Sequence, residues 1–184
     1  MLGMIIIYRR NATFTMTEEK ESKFNSYQLM ISAIFAAAVI VATLIIRVPV
    51  PATSGYINLG DSMVFISALL FGARVGGIAG GIGSALADII GGYASWAPFT
   101  LVIKGLEGTV VGHLGKSDSI TRQLLAVVVG GLIMVSGYFI VEVFLYGAPA
   151  AITEVPGNLI QAGSGLIISM IVVRAIKKAM PERF

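Results

Sequence analysis

Two uncharged stretches, Phe24–Ile46 and Gln123–Val141, constrain this chain more than anything else in it. Each matches the roughly 20 apolar residues that carry a helix across a bilayer. Lipid offers no partners for backbone N–H and C=O groups, so such runs must close their own hydrogen bonds as helices. The rest of the chain agrees: 56% of its 184 residues are hydrophobic and 12% charged. An average soluble domain carries about 25% charged residues. Six helices of about 20 residues would use most of the length. The expectation is an all-α integral membrane protein, a six-transmembrane-helix bundle with no room for a second domain.

Prolines, glycines and polar clusters divide the chain into helices. A first helix over Ser26–Val48 is stopped by Pro49 and Pro51, which cannot continue it. A polar stretch, Pro49–Ser62, leads to a second helix from about Ser62 to Phe71, with Asp61 and Ser62 as N-cap candidates. Gly72 to Arg74 turns into a third, Val75–Gly92. A fourth, Ala97–Gly115, has Pro98 in its first turn, where proline is tolerated. A fifth covers about Arg122–Tyr146 and, after a loop over Gly147–Gly157, a sixth covers about Asn158–Ala175. The second helix is short: 10–14 residues rise about 15–21 Å, less than the roughly 30 Å hydrocarbon core.

A re-entrant second segment would leave the C-terminus outside, and the loop charges argue against it. Six crossings put eleven of the thirteen Lys and Arg residues on the inner side, with Arg47 outside and Lys104 within the membrane. Both termini are therefore expected in the cytoplasm. Residues 1–25 then form an N-terminal tail, residues 26–178 the membrane domain and residues 179–184 a C-terminal tail. The apolar run at the N-terminus precedes its arginines, the reverse of a signal peptide. Met16 is a plausible start, so residues 1–15 receive no functional weight.

Several chemistries are excluded by what the chain lacks. It has no cysteine, and His113 is its single histidine, which removes thiol catalysis and multi-histidine or cysteine zinc sites. The net charge of +3 fits cytoplasmic anchoring, and no basic patch with interleaved aromatics invites nucleic acid. Gly115-Lys116-Ser117 resembles part of a phosphate-binding loop, but Val110 stands where that motif needs its first glycine. Gly81 and Gly83 begin a dinucleotide fingerprint that Leu86 breaks. No nucleophile has a base at a recognisable spacing. The chain is not expected to be an enzyme or to carry a cofactor or metal.

The polar residues collect at one end of this layout. The third helix runs outward and leaves Asp88 about 6 Å below its outer end, while the fourth runs inward and carries Lys104 roughly 10 Å and Glu107 roughly 15 Å down. Glu142 lies near the outer end of the fifth helix, Asn158 and Gln161 in the first two turns of the sixth. Asn58 and Asp61 in the first loop, and Tyr93 and Trp96 between helices three and four, cover the same end. With Tyr138 as a further aromatic candidate, the candidate binding set is Asn58, Asp61, Asp88, Trp96, Lys104, Glu107, Tyr138, Glu142, Asn158 and Gln161. The inner half is apolar, which does not suit a channel or proton relay through the full thickness. It suits an outward-facing pocket closed below, for a small flat heterocycle with hydroxyl or amino groups.

Alternatives stand beside these assignments. Lys104 and Glu107, three apart on one helix, either hold a ligand or pair with each other. Trp96 and Tyr93 either stack on a ligand or belong to the interfacial aromatic belt. Glu154 and Asp118 read as ordinary loop charges. Small residues four apart, such as Gly76, Gly80 and Ser84, let helices approach closely. Ala33 and Ala37 form a similar pair on the first helix, either for internal packing or for docking another membrane subunit.

The stretch Gly55–Gly108 contains an "INLGDS" loop, an "ALLFG" turn, a Gly-rich helix ending in Ala87-Asp88, and "KGLEG". It resembles the substrate-binding S components of energy-coupling factor (ECF) vitamin transporters, in the branch of riboflavin, hydroxymethylpyrimidine and pyridoxine carriers. The likeness in length and six-helix layout covers about Ser26–Lys178. It implies high-affinity binding of a vitamin-like micronutrient at the outer face of a bacterial cell membrane, beneath the first loop. It also implies a membrane scaffold (T) subunit and two cytoplasmic ABC ATPases as partners, with ATP hydrolysed by the latter. The family's first helix contacts the scaffold through small residues, which Ala33 and Ala37 match. Few aromatics are at hand, namely Tyr56, Tyr93, Trp96, Phe99, Tyr138 and Tyr146. That favours a small ring, hydroxymethylpyrimidine or a B6 vitamer, over riboflavin. The alternative is a stand-alone secondary transporter for a small polar solute.

Overall fold

The computed structural model describes residues 26–181. The expected N-terminal tail, the Met16 start and the last residues of the C-terminal tail lie outside the described residues. Six α-helices and one β-hairpin make up the described part: α1 (Ser26–Ile45), β1 (Arg47–Val50), β2 (Gly55–Asn58), α2 (Gly60–Phe71), α3 (Ala73–Gly91), α4 (Ala97–Gly115), α5 (Ile120–Tyr146) and α6 (Ala148–Ala179). The all-α bundle expected from the sequence is the observed architecture. By length and composition α1, α3, α5 and α6 can each cross a membrane.

Of the two remaining helices, α2 is enclosed by the others, while α4 buries one face and exposes Leu101, Val102 and Leu106 on the other. In α2, residues from Gly60 through Leu70 are buried on nearly every face, against α1, α3, α4 and α6. A helix walled in by protein does not need to match the bilayer thickness, which accounts for its 12 residues. In α4 the hydropathy is lowered by Lys104 and Glu107, both of which point inward and are buried. The molecule is thereby inverted relative to a soluble one. Asp61, Lys104 and Glu107 are at most 2% exposed, whereas Phe144 is 87% exposed and Ile140, Ile160 and Ile171 more than half. Only an apolar surrounding makes that distribution favourable.

Three boundaries differ from those read in the sequence. The first helix stops at Ile45 rather than Val48, and Arg47–Val50 pairs antiparallel with Gly55–Asn58, in the register Arg47↔Asn58 and Val50↔Gly55. The β-branched Val48, Val50 and Ile57 and the aromatic Tyr56 suit strands. Pro49 is tolerated because a two-stranded ribbon consists of edges. The second helix is capped by neither Asp61 nor Ser62: it starts at Gly60, whose N–H is accepted by the Asn58 side chain at 2.8 Å. The sixth helix starts at Ala148, ten residues before the expected Asn158, so Gly147–Gly157 is not a loop. Pro149 occupies its first turn, where no N–H is needed, and Pro156 is accommodated within it.

Glycines bring α3 and α4 into backbone contact. A Cβ on Gly76 would stand 2.6 Å from the Gly108 carbonyl oxygen, and one on Gly80 the same distance from that of Lys104. Such proximity carries the polar face of α4 up against α2 and α3. One apolar core, Phe65, Leu69, Val111, Val127 and Val173 among its members, fills the half of the bundle away from the hairpin. A second, smaller one, Ile103, Met134 and Val135, lies nearer the hairpin and packs against Phe99 and Tyr138.

Candidate functional site

The hairpin is tied down at the open end of the bundle by side chains from two helices. The Tyr56 hydroxyl donates to Asp88 Oδ1 of α3 at 2.6 Å. The Asn58 N–H donates to Gln161 Oε1 of α6 at 2.8 Å, and the Thr53 hydroxyl donates to Glu154, also of α6. Arg47 adds a bond from Nη1 to the Gly91 carbonyl at 3.0 Å. Burial and the neighbouring Asp88 push the Tyr56 phenol well above its ordinary range. Tyr56 therefore remains a protonated donor to Asp88 at any physiological pH.

Beneath this roof lies a cavity lined by Gly55, Tyr56, Asn58, Asp88, Trp96, Thr100, Tyr138, Glu142, Glu154, Asn158 and Gln161. It is tight, with about 30 Å³ open to the centres of water molecules. That is enough for about two or three waters. One wall is aromatic: Trp96 meets Tyr138 edge-on at 5.9 Å, Phe99 at 6.2 Å, and lies nearly parallel to Tyr146 at 6.0 Å. At 5% exposure Trp96 is buried in the wall rather than spread at a lipid interface. Tyr138 donates to the Thr100 hydroxyl at 3.1 Å. The other wall is polar, with Asn158 within hydrogen-bonding reach of Glu142 and Glu154 close enough to Glu142 for the two charges to interact.

Seven of the ten candidate residues line this cavity: Asn58, Asp88, Trp96, Tyr138, Glu142, Asn158 and Gln161. The other three, Asp61, Lys104 and Glu107, form a buried cluster under its floor. Lys104 pairs with Asp61 through a hydrogen-bonded ion pair and with Glu107 at 3.0 Å. The Lys104–Glu107 pairing anticipated from their spacing is therefore present, with Asp61 as an additional partner. Gln161 joins the two layers: its Oε1 serves the hairpin while its Nε2 donates to Asp61 Oδ2 at 3.2 Å. Lys104 Nζ also lies 5.8 Å from the centre of the Tyr138 ring.

Sequence reasoning missed Thr100 and Glu154 as lining residues and kept Tyr56 only among the aromatic candidates, and Glu154 is not the loop charge it was read as. It is 3% exposed and sits within α6. The signal was available: Glu154, Asn158 and Gln161 recur at i, i+4 and i+7, one face of a helix. That face continues through Gly165, Ser169 and Val173, all buried. Ala33 and Ala37 are exposed on α1, while Ser32 and Ala36 on the adjoining face are buried. The Ala36 carbonyl lies 2.9 Å from where a Cβ on Gly83 would be, so internal packing uses Ser32 and Ala36.

A greasy exterior, a buried polar interior and a small polar cavity under a tethered hairpin define a membrane-embedded binding protein for a small solute. Residues 23–178 match the family of the ECF-type riboflavin transporter S component. The chain belongs to that family, whose members are multi-pass cell-membrane proteins that bind substrate for vitamin or precursor uptake. Among its relatives, an uncharacterised protein of Pyrococcus woesei is 53% identical over 71% of this chain and 88% of its own length. The thiamine precursor transporter HmpT of Lactococcus lactis is 30% identical over 84% of this chain and 90% of its own. A UPF0397 protein of Streptococcus agalactiae is 26% identical over 85% of this chain and 93% of its own.

Proposed function

We propose that this chain is the high-affinity substrate-binding subunit of an ECF-type ABC importer, and that its cargo is hydroxymethylpyrimidine or a B6 vitamer. The observation that carries the reading is the cavity under the hairpin, small and bounded by Trp96 and Tyr138 on one side and by carboxylates and amides on the other. A ring packed beside Trp96 and Tyr138 would present its polar substituents to Asp88, Glu142, Asn158 and Gln161. A cavity this tight would have to widen less for a single small ring than for a flavin, which favours the smaller cargo. The relative named as a thiamine precursor transporter supports the same choice, while the family's own name keeps riboflavin as the larger competitor.

In this reading the hairpin faces outside and both termini lie in the cytoplasm, as the distribution of Lys and Arg favours. The membrane scaffold docks on the exposed Ala33 and Ala37 face of α1, where small side chains permit close helix approach. Two ATPases bound to the scaffold supply the energy. Uptake of labelled hydroxymethylpyrimidine and pyridoxine into vesicles, with and without the scaffold and ATPases, tests the proposal. Uptake should require all the subunits and ATP. Transport by this chain alone would instead identify a stand-alone permease.

A further inference from the structure

Charge in the cavity wall is all of one sign. Asp88, Glu142 and Glu154 line it, and among the described residues no Lys or Arg does; Lys104, a buried cation, is occupied by Asp61 and Glu107 below the floor. Three polar atoms of the wall are also buried without a partner: the acceptors Glu142 Oε2 and Asp88 Oδ2, and the donor Trp96 Nε1. Their side chains are 2%, 4% and 5% exposed. Buried groups of this kind lose their water without recompense unless something else satisfies them. A carboxylate is best satisfied by two parallel N–H donors, especially where the donor edge is cationic.

We propose that the cavity selects its ligand by charge: it takes a nitrogen heterocycle whose ring N–H and adjacent amino group form an amidinium-like edge on Glu142, and it rejects the phosphorylated form of the same molecule. The inference rests on the binding reading above and narrows it. Among the candidate cargoes, an amino-bearing hydroxymethylpyrimidine has that edge once its ring nitrogen takes a proton, and its remaining ring nitrogen can accept from Trp96. A phosphate monoester would bring two further negative charges against Asp88, Glu142 and Glu154. Its oxygens would find neither a basic side chain in the wall nor a positive group left unpaired beneath it, so like-charge repulsion and lost hydration both oppose binding. Importers built on this chain would then carry the free base, and any phosphorylation would follow transport.

Trp96 is the sole tryptophan of the chain, so its fluorescence reports occupancy of the cavity. The full-length protein in detergent would be titrated with the amino-bearing hydroxymethylpyrimidine, its phosphate monoester, pyridoxine and riboflavin. The free pyrimidine should bind at least about 100-fold more tightly than its phosphate, and Glu142→Gln should weaken the free pyrimidine by about tenfold or more, as expected for loss of a charge-assisted contact. Glu142→Gln should also narrow the gap between the base and its phosphate. Equal or tighter binding of the phosphate overturns the inference, and so does an unchanged pyrimidine affinity in folded Glu142→Gln. Tight binding of riboflavin or pyridoxine with no binding of the pyrimidine overturns it while leaving the vitamin-binding reading intact. Binding of none of the four overturns both. If Glu142→Gln fails to fold, the wild-type comparison of base with phosphate decides alone.

Discussion

Lys104 holds the polar interior together. Its ammonium group faces Asp61 and Glu107 at once, all three are essentially without solvent, and Gln161 closes the cluster toward the hairpin. Two carboxylates around one cation leave the cluster dependent on that cation, because removing one partner of a buried pair strands the others. Lys104→Met, which keeps the length and removes the charge, should cost about 3–5 kcal/mol of stability. Thermal unfolding in detergent measures it. Adding Asp61→Asn and Glu107→Gln to the same chain should recover most of the loss; a triple variant no more stable than the single one would show that shape, not charge, was at stake. Lys104 and Glu107 were conspicuous in the sequence because charges inside apolar runs are costly, whereas Asp61 read as a residue of the polar first loop. Which of them would turn to one another and which would face a cavity depended on helix rotation and on the short α2, neither of which the residue types specify.

At the scale of the elements, glycine determines where α4 can go. Gly108 is set against the Gly76 backbone, so Gly108→Ala has no soft side chain to displace and must part the two helices. The expected cost is about 1–3 kcal/mol, read as a lowered unfolding temperature, with weaker ligand binding because Thr100 and Lys104 ride on α4 and Trp96 sits at its N-cap. A substitution at Gly92, whose surroundings are open but whose φ is +90°, strains only its own turn and serves as the comparison. The helix periods and small-residue spacing of α3 and α4 were readable directly. The start of α6 was not, since Gly147, Pro149, Pro156 and Gly157 read as breakers. Both prolines are in fact tolerated, one in a first turn and the other within a long helix held by its buried stripe. The hairpin was hidden for a related reason: its prolines masked the alternation of Val48, Val50 and Ile57.

For the whole molecule, the proposed function separates two tasks in space. In the proposed reading binding belongs to the hairpin end, while the α1 face of Ala33 and Ala37 lies on the flank and supplies no residue to the cavity lining. Ala33→Leu combined with Ala37→Leu should therefore leave ligand affinity unchanged and abolish uptake by the assembled importer, with co-purification of the scaffold as the direct readout. Retained uptake would move the docking surface elsewhere on the bundle. The fold class and its membrane setting were legible in the sequence because composition and run length alone demand them. The lining was legible only where a polar residue stood inside an apolar run. The tightness of the cavity has one more consequence, which concerns time rather than affinity. Space for a few waters does not admit even one aromatic ring, so the wall must yield before each capture and each release. The observed association rate should then level off as ligand concentration rises, at the rate of the opening step. Stopped-flow recording of Trp96 would show this plateau, and each captured molecule would have a long residence time.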